Sequence, residues 1–480
     1  MNTLAKTGAM LVLSYAAIAC VHSQEPSVQV SPGKLLRYQP IVDDIVIAAN
    51  EAIGFSGTVL VANSKDVIYQ RSIGFADKEQ KVHLNSEYRF APGSVIKEFS
   101  TVALMLLKQQ GKIRYSDKVI DYISWLPDWA SAITIEHLLT HTAGLGEIKF
   151  ATGMQTADVI EQIKSVKKLK YLPGEGFSYG NLVVVLRALI IEKTSGQSYK
   201  NYIEENIFKP AGMKSAFARD NIEDHQPLIA FGEKPLAIDG VTAYTTASDL
   251  YLWEKALWNN TFFTKQVLSS AIVKPSLGGE GSAYFDFGAY KSNSDGSLNQ
   301  VWHPGTYPSH YALKSIDLDK DLFIVLLSRD GRNSTLSEIR EYIINASEHK
   351  PLKFPSLWWL SAEMSSKGYE SAIKDYKSRV KSGEFIAKES ELIGLGYGLN
   401  HMQELAALAI MALSVELFPQ SANAYDSYAE LLLMAKRYKQ AKPIVERGMA
   451  VAKKSNEQFI LGRLEKMQQQ IIEHTQLAKP

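Results

Sequence analysis

A single cysteine, Cys20, stands in a chain of 480 residues, so no internal disulfide can form. Excess charge of one sign is lacking too. The formal net charge is +1, which leaves no electrostatic footprint for nucleic acid. Long apolar runs are missing. The segment Ala9 to Ala19 falls short of the roughly 20 residues a bilayer span requires, and no other segment reads as transmembrane. His-Glu-x-x-His is absent as well. His137 and His141 stand four apart on an expected helix, a spacing that can bind zinc, but no third ligand is evident. They are read as packing residues, and neither a metal nor a cofactor is expected.

What is present allows two or three domains. Hydrophobic residues make up 46% of the chain, enough for sizeable cores and against global disorder. The first 23 residues read as an export signal, with Lys6 ahead of the short apolar segment and Val21-His22-Ser23 before a cut at Gln24. A secreted or periplasmic protein is expected. A rival reading makes Cys20, after Ala17-Ile18-Ala19, the lipid anchor of a membrane-attached lipoprotein.

Residues 24–350 read as one α/β unit. Residues 36–53 carry an apolar period expected of a helix, and Gly57–Ala62 with Val67–Ile73 reads as a hairpin around Asn63-Ser64-Lys65-Asp66. Helical periods dominate from Ser94 to about Ala256. Ala283–Tyr290, Tyr311–Ile316 and Leu322–Leu327 read as strands, and Leu336–Ala346 as a helix. Strands from both ends with helices between them predict a single sheet. Residues 351–480 are helical in pattern. Ala407 and Ala441 stand 34 apart, the tetratricopeptide period, so a repeat-like domain that holds a protein or peptide partner is expected; a helical cap or dimer surface is the alternative.

Three short motifs carry chemistry. Ser94-Val95-Ile96-Lys97 places a hydroxyl and an amine on one face of a helix, and Arg89-Phe90-Ala91-Pro92-Gly93 supplies the turn before it. A serine hydroxyl is a weak nucleophile until a neighbour takes its proton. Tyr179-Gly180-Asn181 follows a loop of Pro173-Gly174-Glu175-Gly176 and precedes an apolar helix. His303-Pro304-Gly305 completes the set.

In this order the motifs resemble those of the serine β-lactamase and penicillin-binding-protein superfamily, on the class C-type branch with family VIII esterases. Ile135–Leu145 is similar to a stretch of that branch, and the likeness spans roughly residues 36 to 348. It implies a β-lactamase-like antiparallel sheet flanked by helices, with a helical subdomain. It also implies that Ser94 forms an acyl enzyme on an ester, amide or peptide, with Lys97 and Tyr179 as proton carriers. Which of the two is the base stays open. An ordinary tyrosine titrates near 10, so Tyr179 would need positive charge nearby, which Lys97 is expected to provide. Asn181 and His303 would hold substrate. Gly305 would admit it closely, and the N–H groups of Ser94 and Thr306 would form the oxyanion hole. The family often has Lys-Thr-Gly where this chain has His303-Pro304-Gly305. Losing that fixed cation favours small-molecule or peptide substrates without a required carboxylate over β-lactams and D-alanyl peptides. The competing readings are a β-lactamase or DD-peptidase, and a non-enzyme sensor or scaffold that is acylated without turnover.

Overall fold

The computed structural model describes residues 39–77, 79–147, 156–218, 243–307, 309–329, 333–348, 350, 356–400 and 403–477. The segment expected to be an export signal, with Cys20, lies outside these residues.

Eight strands are present among them: β1 (Gly57–Ala62), β2 (Val67–Ile73), β3 (Phe217–Ala218), β4 (Ala243–Tyr244), β5 (Ala289–Ser292), β6 (Leu298–Tyr307), β7 (His310–Asp317) and β8 (Leu322–Ser328). β3 and β4 form a separate pair, and the other six make one sheet in the order β2-β1-β8-β7-β6-β5, antiparallel throughout. β1 pairs with β8 from Gly57 against Ser328 to Ala62 against Phe323, so strands from opposite ends of the sequence lie side by side.

Alternation along the strands explains the layers. Val59 and Val61 of β1 join Leu313, Ile324 and Leu326 on one face. There they meet Val42, Ile45 and Val46 of helix α1 (Gln39–Ile53) and Leu336, Ile339 and Ile343 of helix Asn333–Ser347. Leu60, Ala62, Val325 and Leu327 point the other way, where helix Ala247–Trp258 lies against β1 and β8, into a larger core shared with Phe99, Val102 and Ala103 of helix α2 (Ile96–Gln109). A strand covered on both faces has no polar side to show. That is why β1 and β8 are buried at every position.

Two expectations need correction. Ala283–Tyr290 is not a strand. Only its end enters β5, and the rest folds back on itself, with the Ala283 N–H on the Gly288 carbonyl and the Phe287 N–H on the Phe285 carbonyl. Phe285 and Phe287 are buried in the main core, and Asp286 between them is carried into the interior with them. His137 and His141 do not share a helix. Helix Ile135–Leu139 ends first, and His141 has a left-handed backbone with φ +56°.

Beyond the sheet unit, helices run from Ser356–Lys367 to Gln458–Leu477 and bury Ala407 and Ala441 completely. Trp358 of the first of these helices packs into the core shared by α1 and Asn333–Ser347. No described helix is long and apolar enough to cross a membrane.

Candidate active site

Ser94 sits in a single 3-10 turn, Gly93–Val95, that runs directly into α2. The turn lies hard against β6. Gly93 has φ +55°, and a Cβ there would fall 2.3 Å from the Thr306 nitrogen. A Cβ on Gly305 would fall 1.9 Å from the Pro92 oxygen and 3.1 Å from the Ser94 nitrogen. Both positions therefore require glycine, and the Ser94 and Thr306 nitrogens border the same narrow gap. β6 is not an edge strand of the sheet. β5 flanks it, but the pairing with β5 ends at Trp302, leaving residues 303–307 open toward the serine turn. Pro304 shares strand parity with Thr306, so its missing N–H falls on that open side, where no ladder partner waits.

Lys97 follows one helical turn after Ser94 and is almost wholly buried. Its ammonium donates to the Ser94 hydroxyl at 3.0 Å. Burial pushes the lysine down to about 8; the Asp286 charge opposes the fall and Arg187 adds to it. The Lys97 Nζ also lies 4.8 Å from the centre of the Tyr179 ring.

Tyr179 hydrogen-bonds Ser94 as well, yet its phenol is pushed up, not down. Burial is the larger cause, the Asp286 charge adds to it, and the bond to Ser94 offsets only part. Since 39% of Tyr179 stays exposed, water tempers this push. The direction nonetheless differs from that expected of a phenol beside a lysine, because burial, aided by the Asp286 charge, outweighs what lowers it.

That carboxylate belongs to a buried cluster. Asp286 Oδ2 meets His141 Nε2 at 2.8 Å and Arg187 Nη1 at 3.0 Å. Burial pushes the Asp286 carboxyl up, but His141, Arg187 and Lys97 outweigh it and hold it far below the carboxylate range. Burial pushes the His141 imidazole down, and its Nδ1 is buried without a partner. The His141 ring lies 4.5 Å from that of Tyr179. Arg187 comes from helix Leu182–Ser195, and the position before that helix is Asn181, whose side chain makes no capping bond.

A second buried cluster lies behind β6. His303 Nδ1 meets Glu98 Oε1 at 2.7 Å, and Lys314 Nζ reaches the same oxygen at 3.0 Å. Trp253 Nε1 donates to Glu98 Oε2 at 2.7 Å. Lys314 also pairs with Glu254, to which Trp258 donates at 2.9 Å.

The structure thus brings Ser94, Lys97 and Tyr179 into mutual contact and lays Gly305 and Thr306 along the serine turn. Asn181 stands two residues from Tyr179 at the helix start, and His303 is tied to Glu98. Sequence reasoning missed Asp286, Arg187, Glu98 and Lys314. One signal was available: a lone acid between Phe285 and Phe287, or a lone Arg within an apolar helix, must find a buried partner. Among the described residues no group of His, Cys, Asp and Glu is placed to hold a metal ion.

Residues 42–347 match the family model described as Beta-lactamase. Penicillin-binding protein 4* of Bacillus subtilis (strain 168) is 28% identical over 333 residues, covering 62% of this chain and 72% of that protein. The solved penicillin binding protein from Bacillus halodurans aligns with a TM-score of 0.54 at 21% identity, over 62% of this chain and 98% of that one. The Beta-lactamase/D-alanine carboxypeptidase from Yersinia pestis, complexed with citrate, aligns at 0.55 with 16% identity, over 66% and 100%. At such identities the two solved structures establish the fold, a β-lactamase-like one. The helices from Ser356 onward lie beyond the family match.

Proposed function

The chain belongs to the Beta-lactamase family, and from that premise we propose that it is an exported serine hydrolase that cleaves an ester or amide through an acyl enzyme on Ser94. The observation that carries the proposal is the 3.0 Å contact from a buried Lys97 amine to the Ser94 hydroxyl.

Ser94 Oγ attacks the carbonyl carbon while its proton passes to Lys97. Lowered to about 8, Lys97 can be a neutral amine at mildly alkaline pH; the phenol of Tyr179, pushed up, is the weaker candidate for base. Negative charge then develops on the carbonyl oxygen beside the Ser94 and Thr306 N–H groups. Tyr179 relays a proton to the departing alcohol or amine, and water releases the acyl group from Ser94. Asn181, with a donor and an acceptor uncommitted to the helix, would hold a substrate amide.

The substrate side favours uncharged acyl groups. His303 replaces a permanent cation and is itself engaged by Glu98. Phe177, partly exposed, lies edge-on to His141, and the loop at Gly278 packs on its ring beside exposed Leu277. These residues offer apolar surface next to Tyr179.

The test is a panel of p-nitrophenyl esters, D-amino-acid amides and nitrocefin, run on the native chain and on Ser94→Ala. Turnover of esters or amides that vanishes in the variant is expected. Preferred nitrocefin hydrolysis would favour the β-lactamase reading, and turnover surviving in Ser94→Ala would refute Ser94 as nucleophile.

Two further parts of the proposal rest on sequence. Export uses residues 1–23, or the lipid anchor at Cys20. The C-terminal helices form a tetratricopeptide-like platform for a protein partner, supported by helices opening at Tyr369, Glu404 and Tyr438, close to the 34-residue repeat length.

A further inference from the structure

We propose that Glu98 is a positioning residue: it holds His303 in one orientation and one tautomer, with the proton on Nδ1, so that Nε2 is the nitrogen offered to substrate. The inference rests on the Ser94 acyl-enzyme reading, and it deepens it by accounting for the histidine that stands where the family often has lysine.

The geometry points this way from three sides. Glu98 follows Lys97 directly on α2, and one residue turns the side chain about 100° around the helix axis. Lys97 therefore reaches Ser94 while Glu98 reaches the sheet. On the sheet, His303 of β6 and Lys314 of β7 are cross-strand partners, so their side chains share a face. Both meet Glu98 Oε1, at 2.7 and 3.0 Å.

The charges decide the tautomer. Glu98 is fully buried, where an ionised carboxylate survives only if paired and hydrogen-bonded. Burial pushes its carboxyl up, but Lys314 and His303 outweigh it and hold it below its ordinary value. Glu254, the other carboxylate on Lys314, is pushed up by burial. Lys314 on Oε1 and Trp253 on Oε2 both donate to Glu98, which holds it as the carboxylate, and an ionised carboxylate only accepts. The bond to His303 must come from an Nδ1–H, which leaves Nε2 for chemistry. Two residues further along β6 stands Gly305, packed on the serine turn. The same bond therefore ties the helix of Ser94 and Lys97 to the strand that borders the reacting carbonyl.

The experiment compares the native chain with Glu98→Met and Glu98→Gln. Met keeps the length and removes the acceptor, while Lys314 retains Glu254. Gln keeps one acceptor oxygen but must turn an N–H2 toward either Trp253 or the His303 side. Nitrogen-15 spectra of histidine-labelled protein in alkaline buffer, with His303 assigned through His303→Gln, should show Nδ1 protonated and Nε2 bare in the native chain. Glu98→Met should lose that signature and drop kcat/KM by about 10- to 100-fold, the range typical of partners that orient a functional histidine. Glu98→Gln should recover part of both, and fluorophosphonate should still label Ser94 in either variant. An Nε2–H tautomer in the native chain overturns the inference, as do variants with unchanged tautomer and kcat/KM. Should Glu98→Met fail to fold, Glu98→Gln carries the same readouts. The tautomer is read without turnover, so a failed acyl-enzyme reading, seen as labelling that persists in Ser94→Ala, is told apart from a failed assignment of Glu98.

Discussion

At the scale of single residues, the decisive quantity is the proton affinity of Lys97. Desolvation disfavours its ammonium, and the lysine falls to about 8. If Lys97 is the base, the active form is the neutral amine, so kcat/KM should rise as pH increases through about 8 and level off above it. A pH–rate profile measures this. Lys97→Arg keeps a cation that never gives up its proton at accessible pH, so turnover should be lost across the whole profile. Asp286→Asn removes the negative charge that favours the Lys97 ammonium, which lowers the lysine further and moves the rising limb to lower pH. It also leaves Arg187 buried without its carboxylate, at a cost of roughly 3–5 kcal/mol in stability, measured by urea unfolding. A limb that moves upward would contradict the assignment. Ser94 and Lys97 were legible in sequence because their partnership is local, one helical turn. Asp286 was not, because its partners His141 and Arg187 come from distant elements and its own segment reads as a strand.

At the scale of elements, the site depends on a strand running against a turn without side chains between them. Gly305→Ala would place a methyl 1.9 Å from the Pro92 oxygen and so push β6 away from the Ser94 nitrogen. One oxyanion donor would then be misplaced, and kcat should fall about 100- to 1000-fold with the sheet still formed. Steady-state kinetics alongside circular dichroism distinguishes this from unfolding. The hairpin of β1 and β2 was readable because β-branched runs flank a turn composition, and its boundaries match the observed strands. The position of β6 within the sheet was not readable. Strand order is set by which faces find cover, and β5 covers β6 only as far as Trp302.

At the scale of the whole molecule, composition marks a change of character near residue 351, and packing does not follow it. Trp358 lies beyond that point yet fills the core under α1 and Asn333–Ser347, with its ring 5.3 Å from Tyr342. A chain ending at residue 350 should therefore unfold at lower urea than one ending after Lys367, and Trp358→Ala in the full chain should cost roughly 3–5 kcal/mol. Equal midpoints for the two truncations would show that the helix Ser356–Lys367 contributes nothing to the sheet unit.

The central claim, a covalent intermediate on Ser94, is tested most directly by fluorophosphonate labelling followed by peptide mass mapping. One adduct per chain on the peptide that carries Ser94, and none on Ser94→Ala, is the expected result. A label mapped to any other residue, or undiminished labelling of Ser94→Ala, would refute the mechanism.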